Sequence, residues 1–96
     1  MDVALLQTRQ AKEDILEIWT YISAEDSSAA DRLVRQFDQL FQKLANHPGI
    51  GSRQDRFREG LRCFPLGRYL IFYFPIEDGI QIIRVLHSAR NWEKLL

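Results

Sequence analysis

The segment Arg68–Phe74 constrains the fold most, because every position from Tyr69 onward is aromatic or aliphatic. A strand that is apolar on both faces must be covered on both sides, so this segment is predicted to be the central strand of a sheet. Asp78-Gly79 follows, a dipeptide that favours a tight hairpin turn, and Ile80–His87 supplies the returning strand. Leu61–Pro65 is predicted to be a short strand that ends or lies at an edge, because proline has no backbone N–H.

Two amphipathic segments precede these strands. Apolar residues recur at helical spacing through residues 9–24 and again from about residue 27 to Asn46, so each segment is predicted to be a helix with one buried face. Thr8 is a suitable N-cap for the first helix, and Asp26 or Ser27 for the second. The stripes consist of Ile15, Ile18, Trp19 and Ile22 in the first helix and Leu33, Phe37, Leu40, Phe41 and Leu44 in the second.

A short strand at Val3–Leu6 and a helical tail after Ser88 complete the predicted order, which is β-α-α-β-β-β-α. Only a short break separates the two long helices, so they are expected to form an antiparallel hairpin. The order predicts an α+β fold in which a helical hairpin packs on a small antiparallel sheet. The length of 96 residues predicts one domain, residues 1–96. Trp92 and Leu95 or Leu96 are predicted to anchor the tail.

The overall charge is zero, but its distribution is uneven. Residues 1–50 carry five Lys or Arg against eight Asp or Glu, and residues 51–96 carry eight against five. The basic half could meet an acidic partner, or it could be a solvated arginine-rich loop. No apolar run is long enough to cross a bilayer, Met1 is not followed by a signal segment, and the single cysteine, Cys63, allows no internal disulfide. These features lead us to expect a cytoplasmic protein.

The sequence offers little for metal or cofactor chemistry. Its two histidines, His47 and His87, lack the spacing of a zinc site, and the motifs of dinucleotide, phosphate-loop and zinc-protease sites are missing. His87 has no evident Asp or Cys partner, so a structural role is favoured over general-base catalysis. We therefore predict no catalytic residue, no metal and no cofactor.

Arginines recur along the C-terminal hairpin at Arg62, Arg68, Arg84 and Arg90. Hairpin geometry is expected to bring Arg68 and Arg90 to one end of the sheet. Arginine suits phosphate and carboxylate groups, so the candidates for target interaction or phosphate binding are Arg62, Arg68 and Arg90, with His87 beside them. Alternatively, these arginines pair with acidic residues of the nearby loops and hold those loops in place. The spacing of the arginines leaves both readings open.

The sequence resembles the RelE/ParE toxins of bacterial type II toxin–antitoxin systems. The stretch LQTRQAKEDILEIWTYIS is similar to the opening of these toxins, and the hairpin looks like the ParE branch in particular. The matching pieces are Gly60-Leu61-Arg62, Phe64-Pro65, Gly67-Arg68-Tyr69 and Arg84-Val85-Leu86-His87, in this order and spacing. The resemblance spans nearly the whole chain.

The resemblance implies a toxin that is neutralised by a small ParD-like antitoxin encoded beside it. The antitoxin is expected to lay a helix in an apolar groove of the toxin. Candidates for that groove are Ile15, Ile18, Trp19, Ile22, Phe37 and Phe41. The resemblance also implies a possible homodimer, or a heterotetramer with antitoxin. The lack of a long apolar run predicts no membrane partner.

The two branches of the family differ in their targets. ParE-like toxins stabilise the cleaved complex of DNA gyrase with DNA and are not themselves enzymes, whereas RelE-like toxins cut messenger RNA in the ribosome. RelE-like toxins commonly carry a tyrosine near the C-terminus, but SARNWEKLL has none after His87. This difference favours gyrase over RNA, although Tyr69 and Tyr73 keep RNA cleavage open. A third reading is an inactive module that only binds antitoxin.

Overall fold

The computed structural model describes residues 2–96, and in it the segment with two apolar faces occupies the centre of a five-stranded sheet. The strand order is β1-β5-β4-β3-β2, with the predicted central strand as β4. The helices and strands are β1 (Ala4–Gln7), α1 (Arg9–Ser23), α2 (Ser27–Asn46), β2 (Ser52–Arg53), β3 (Arg62–Leu66), β4 (Tyr69–Ile76) and β5 (Gly79–His87). One turn of 3₁₀-helix follows α2 at Pro48–Ile50, and another lies in the tail at Trp92–Lys94.

The α+β architecture with a helical hairpin on a sheet is confirmed, but the sheet is mixed. β2, β3, β4 and β5 are antiparallel to one another in turn, whereas β1 pairs in parallel with β5, from Ala4 opposite Gly79 to Gln7 opposite Ile82. A side chain at Gly79 would collide with the backbone of Ala4, so glycine allows β1 to approach β5 at this point. The prediction of an antiparallel sheet is therefore wrong for β1, whose partner lies far away in sequence.

Side-chain caps begin both helices. The hydroxyl of Thr8 accepts a hydrogen bond from the backbone N–H of Ala11, and a carboxylate oxygen of Asp26 accepts one from Ala29, so both predicted caps are present. Except for Trp19 and Ile22, the residues of the predicted stripes pack onto one face of the sheet. The buried members of that core are Ala11, Phe37, Leu40, Phe41, Leu44, Ala45, Ile71, Tyr73, Ile80, Ile82 and Val85.

A second, smaller core lies on the face of the sheet opposite α1 and α2. Its buried members are Leu61, Cys63, Phe72, Ile83 and Leu86. Phe57 and Trp92 cover this core, with their rings 5.2 Å apart edge to face, and Leu95 and Leu96 extend the cover. Trp92, Leu95 and Leu96 anchor the tail as predicted, although the tail forms a single 3₁₀ turn in place of the predicted helix.

The edges of the sheet also follow from the sequence. β2 pairs only with Arg62 and Cys63, so the outer side of β3 is open at Pro65, where a missing N–H costs nothing. Within residues 2–96, no helix is both long enough and apolar enough to cross a membrane.

Candidate functional site

Arg84 is fully used in holding the fold together. Its Nε and Nη2 donate to the two carboxylate oxygens of Asp14 at 2.8 and 3.0 Å, and its Nη1 donates to the carbonyl of Leu95 at 2.9 Å. The Asp14 side chain is only 4% exposed and also accepts a hydrogen bond from the backbone N–H of Val85 at 3.0 Å. One guanidinium therefore ties α1, β5 and the C-terminal tail together.

Asp14 lies on the buried side of α1, whereas the other carboxylates of this helix, Glu13 and Glu17, are exposed. β1 ends at Gln7, so the edge of β5 beyond Ile83 has no strand beside it. The Asp14 carboxylate takes the place of a strand there by accepting from the Val85 backbone. A signal was present, since Asp14 lies four residues before Ile18 and therefore on the buried stripe.

Arg62 is also committed to the fold and lies away from Arg68 and Arg90. Its Nη1 donates to the carbonyls of Gly49 and Gly51 at 3.2 and 2.7 Å. Tyr73, its register partner in β4, donates from its hydroxyl to Pro48 and accepts from the N–H of Gly51. Arg62 and Tyr73 together fix the loop after α2. The structure does not bring Arg62 together with the other candidates.

Two other arginines, at the end of β2 and in the loop between β2 and β3, are partly engaged by their neighbours. Arg53 pairs with Asp55 at 2.8 Å, and Arg58 lies over the ring of Phe74. The N–H of Gly60 donates to Asp55, and this hydrogen bond together with the one from Arg53 lowers the pKa of the carboxyl group. Arg53 and Asp55 therefore help to shape this loop.

Arg68 and Arg90 behave differently, because both line an open cleft of about 550 Å³ between α1 and the end of β5. We call it the arginine cleft; its lining residues are Asp14, Glu17, Ile18, Tyr21, Arg68, Tyr69, Val85, His87 and Arg90. Neither guanidinium makes a hydrogen bond or an ion pair with any other residue in the range 2–96. The predicted juxtaposition of Arg68 and Arg90 is confirmed.

Backbone hydrogen bonds hold the two arginine-bearing turns in place. The N–H of Ser88 donates to the carbonyl of Arg68 at 2.7 Å, and the N–H of Arg90 donates to the carbonyl of His87 at 3.0 Å. Gly67, with a φ of 57°, supplies the left-handed residue that the turn before Arg68 requires. The backbone positions of both arginines are therefore set by the sheet, while their side chains stay exposed.

His87 and Tyr69 form one wall of the arginine cleft. The rings meet edge to face with centroids 5.4 Å apart, and Tyr69 also meets Phe37 of the core at 5.7 Å. Nδ1 of His87 accepts a hydrogen bond from the N–H of Ala89, which leaves Nε2 to carry the proton of the neutral ring. Burial raises the pKa of Tyr69, so its hydroxyl remains a neutral donor near pH 7.

The predicted apolar groove is only partly open. Ile15 and Ile18 are half-buried against the core, and Trp19 is 37% exposed with its indole N–H bonded to Asp31 at 2.9 Å. Ile22 is half-buried near the end of α1. Phe37 and Phe41 were predicted to line the groove, and this is wrong. Both have no exposed surface, because they stack on each other beneath the sheet.

Other potentially reactive groups in the described chain are unsuited to catalysis. Burial raises the pKa of the Cys63 thiol to about 11, so it remains protonated and unreactive near neutral pH. Tyr73, which sequence analysis kept as a possible RNA-cleaving residue, is fully buried and bonded to the loop after α2. Within residues 2–96, no three His, Cys, Asp or Glu side chains are grouped to hold a metal ion.

Residues 5–92 match the family model described as the ParE toxin of the type II toxin–antitoxin system parDE. Among curated proteins, the chain is 35% identical over 86 residues to Toxin ParE1 of Caulobacter vibrioides, covering 88% of each chain. It is 28% identical over 99 residues to Toxin ParE1 of Mycobacterium tuberculosis, covering both chains completely. A solved structure described as the chromosomal ParDE TA system from P. aeruginosa superposes with a TM-score of 0.76 at 20% identity, covering 91% of this chain and 97% of that one.

Proposed function

The chain belongs to the ParE toxin family of type II toxin–antitoxin systems, and from that premise we propose that it arrests growth by inhibiting DNA gyrase in the cytoplasm. In this proposal the protein is a poison of another enzyme and performs no chemistry of its own. A cognate ParD-like antitoxin neutralises it, in a complex that contains two toxins and two or more antitoxins.

The observation that carries the proposal is the pair of unbonded arginines in the arginine cleft. A protein that acts by binding needs exposed groups held on a rigid frame, and Arg68 and Arg90 fit that description. General acid–base catalysis instead needs a proton donor and acceptor matched to a substrate. The one buried carboxylate of the cleft, Asp14, is already satisfied by Arg84 and Val85.

Purified protein tests this proposal directly with gyrase, ATP and relaxed plasmid. We expect the toxin to block supercoiling and to increase the fraction of plasmid that is linear after gyrase is removed with detergent and protease. A matched reaction with topoisomerase I controls for binding to plasmid alone. Normal supercoiling at a large excess of folded toxin would rule out gyrase as the target.

We place the antitoxin contact on the exposed apolar surface of α1, around Ile18, Trp19 and Ile22. Leu16 and Tyr21 add to this surface, being 61% and 83% exposed. An amphipathic helix from the antitoxin would cover these side chains. Co-expression with the small gene next to the toxin gene should give a complex that co-purifies and melts at a higher temperature than the toxin alone, because binding stabilises the folded state.

RNA cleavage is a second candidate, favoured by the presence of His87 and Tyr69 beside both free arginines. In that case arginine would stabilise charge on a phosphate while His87 or Tyr69 moved a proton. Induction in growing cells separates the candidates. Filamentation with a DNA-damage response supports gyrase poisoning, rapid loss of translation with cut messages supports RNA cleavage, and unaffected growth supports an inactive antitoxin-binding module.

A further inference from the structure

We propose that the arginine cleft binds an unpaired strand of DNA, with Arg68 and Arg90 on successive phosphates and Tyr21 stacked on a base. This inference rests on the proposed function, because it identifies the DNA in the gyrase–DNA complex as the group that the cleft contacts. The fold leaves these three side chains of the cleft without a bonded or aromatic partner among residues 2–96.

Arg68 and Arg90 are placed to bind phosphate groups. Arg68 and Arg90 lie on two turns that a backbone hydrogen bond of 2.7 Å joins, so both guanidinium groups project from one rigid frame. Neither has an internal partner among residues 2–96, whereas Arg84, on the adjoining strand, is bonded through three of its nitrogens. Unpaired arginines at a cleft are suited to charge-assisted hydrogen bonds with phosphate oxygens.

Tyr21 is placed to stack on a base. Tyr21 lines the same cleft, and 83% of its surface is exposed. Its ring makes no aromatic contact within residues 2–96, whereas Tyr69 is held edge to face by both Phe37 and His87. Exposed aromatic rings next to basic groups are the usual platform for unpaired bases, and stacking does not require a particular base. An acidic peptide would use the arginines but would leave this ring without a partner.

The charges of the chain favour weak binding of DNA. The chain has no net charge, so long-range attraction to DNA is weak, and Glu17 places a carboxylate in the cleft. We therefore expect an affinity on the order of 10⁻⁴ M for a short oligonucleotide, the weak end of non-specific binding. Such an affinity suits a contact made on DNA that another enzyme already holds.

The experiment measures fluorescence anisotropy of a labelled twelve-nucleotide DNA strand titrated with the full chain over a range of salt. Neutralising two phosphates of a single strand gives a slope of log K against log salt of about −1.4. Arg68→Gln or Arg90→Gln should reduce the slope to about −0.7, since one phosphate contact remains. Arg35→Gln removes the same charge from the exposed side of α2 and should leave the slope unchanged.

Base stacking is tested with a strand that has the same phosphates but no bases. Tyr21→Ala should weaken binding of the normal strand about tenfold, while Tyr21→Phe retains it. The abasic strand should bind equally to wild type and Tyr21→Ala. Glu17→Gln should strengthen binding of both strands by removing a repulsive charge.

Three results would overturn the inference. They are equal binding of normal and abasic strands to wild type, tighter binding of an RNA strand of the same sequence, or a glutamate peptide that binds as tightly with the same dependence on both arginines.

The gyrase assay separates this inference from the proposed function. Inhibition of gyrase without binding of the strand refutes the inference alone, whereas strand binding without inhibition keeps the site and removes gyrase as the target.

Discussion

Arg84 and Arg68 lie on adjoining parts of one hairpin, yet the fold uses them in opposite ways. Arg84 is bonded to a buried carboxylate and to the carbonyl of Leu95, and its side chain is only 16% exposed. Arg68 is exposed at the turn before β4, with no bonded partner among residues 2–96. Arg62 is bonded within the fold, as Arg84 is, whereas Arg90 is exposed and unbonded, as Arg68 is. An arginine-rich hairpin therefore contains two populations, one structural and one available for binding.

The difference shows how to assign roles to charged residues in a small toxin. A bonded arginine has its hydrogen-bonding capacity satisfied by the fold, so its loss should appear as lost stability. An unbonded, exposed arginine contributes little to stability, so its loss should appear only in function. Four predictions test this separation, beginning with the largest expected effect.

Arg84→Met should lower the free energy of unfolding by about 3 kcal/mol, because it leaves the Asp14 carboxylate buried without its cation. Urea unfolding of the purified chain measures this. Adding Asp14→Asn should recover part of the loss, since asparagine carries no charge and still accepts from the Val85 backbone. A double variant as unstable as the sum of the two single variants would mean that the pair is not the coupled unit described.

Tyr73→Phe should cost about 2 kcal/mol, because the N–H of Gly51 loses its acceptor and the carbonyl of Pro48 loses its donor. Tyr69→Phe is the matched control, since its hydroxyl has no hydrogen bond within residues 2–96 and lies at the arginine cleft. We expect the control to stay within about 0.5 kcal/mol of wild type in the same urea unfolding experiment. Equal losses from the two variants would contradict the division into bonded and free groups.

At alkaline pH, the difference in the free energy of unfolding between wild type and Tyr73→Phe should become smaller. Burial raises the pKa of Tyr73 above its ordinary value of 10.0, so the folded chain holds this proton after the unfolded chain has released it. The contribution of the Tyr73 phenol to the free energy of unfolding is complete below pH 10. It is lost as the pH rises through the pKa that Tyr73 has in the folded state. Cys63, whose pKa is raised to about 11, is present in both proteins and titrates above the ordinary range of a thiol in each. A difference in the free energy of unfolding that stays constant from pH 8 to pH 11 would argue against this effect of burial.

Sequence patterns predicted most of the fold because they reflect local rules. The two helical stripes, the caps at Thr8 and Asp26, and a central strand between Tyr69 and Phe74 all follow from spacing and residue type. The parallel pairing of β1 could not be predicted, since nothing near Ala4 indicates the direction of a partner more than seventy residues away. The 3₁₀ tail was missed because its shape depends on packing against Phe57 and Phe72.

The candidate site was predicted less completely. Hairpin geometry correctly gathered Arg68, His87 and Arg90, because a turn and a strand end meet at one edge. Spacing could not separate the bonded Arg62 from these residues, since its acceptors are backbone carbonyls of a distant loop. Phe37 and Phe41 were misassigned because a stripe shows which face of a helix is apolar, but not what covers it.

The most direct test compares toxicity with stability for four matched variants, in which glutamine replaces Arg62, Arg68, Arg84 or Arg90 in turn. Growth arrest on induction and urea unfolding of the purified chain are measured for each. We expect loss of toxicity with stability within about 0.5 kcal/mol of wild type at positions 68 and 90, and a clear loss of stability at positions 62 and 84. Full toxicity in both Arg68→Gln and Arg90→Gln would contradict the account, because the arginine cleft would then have no role in the activity of the toxin.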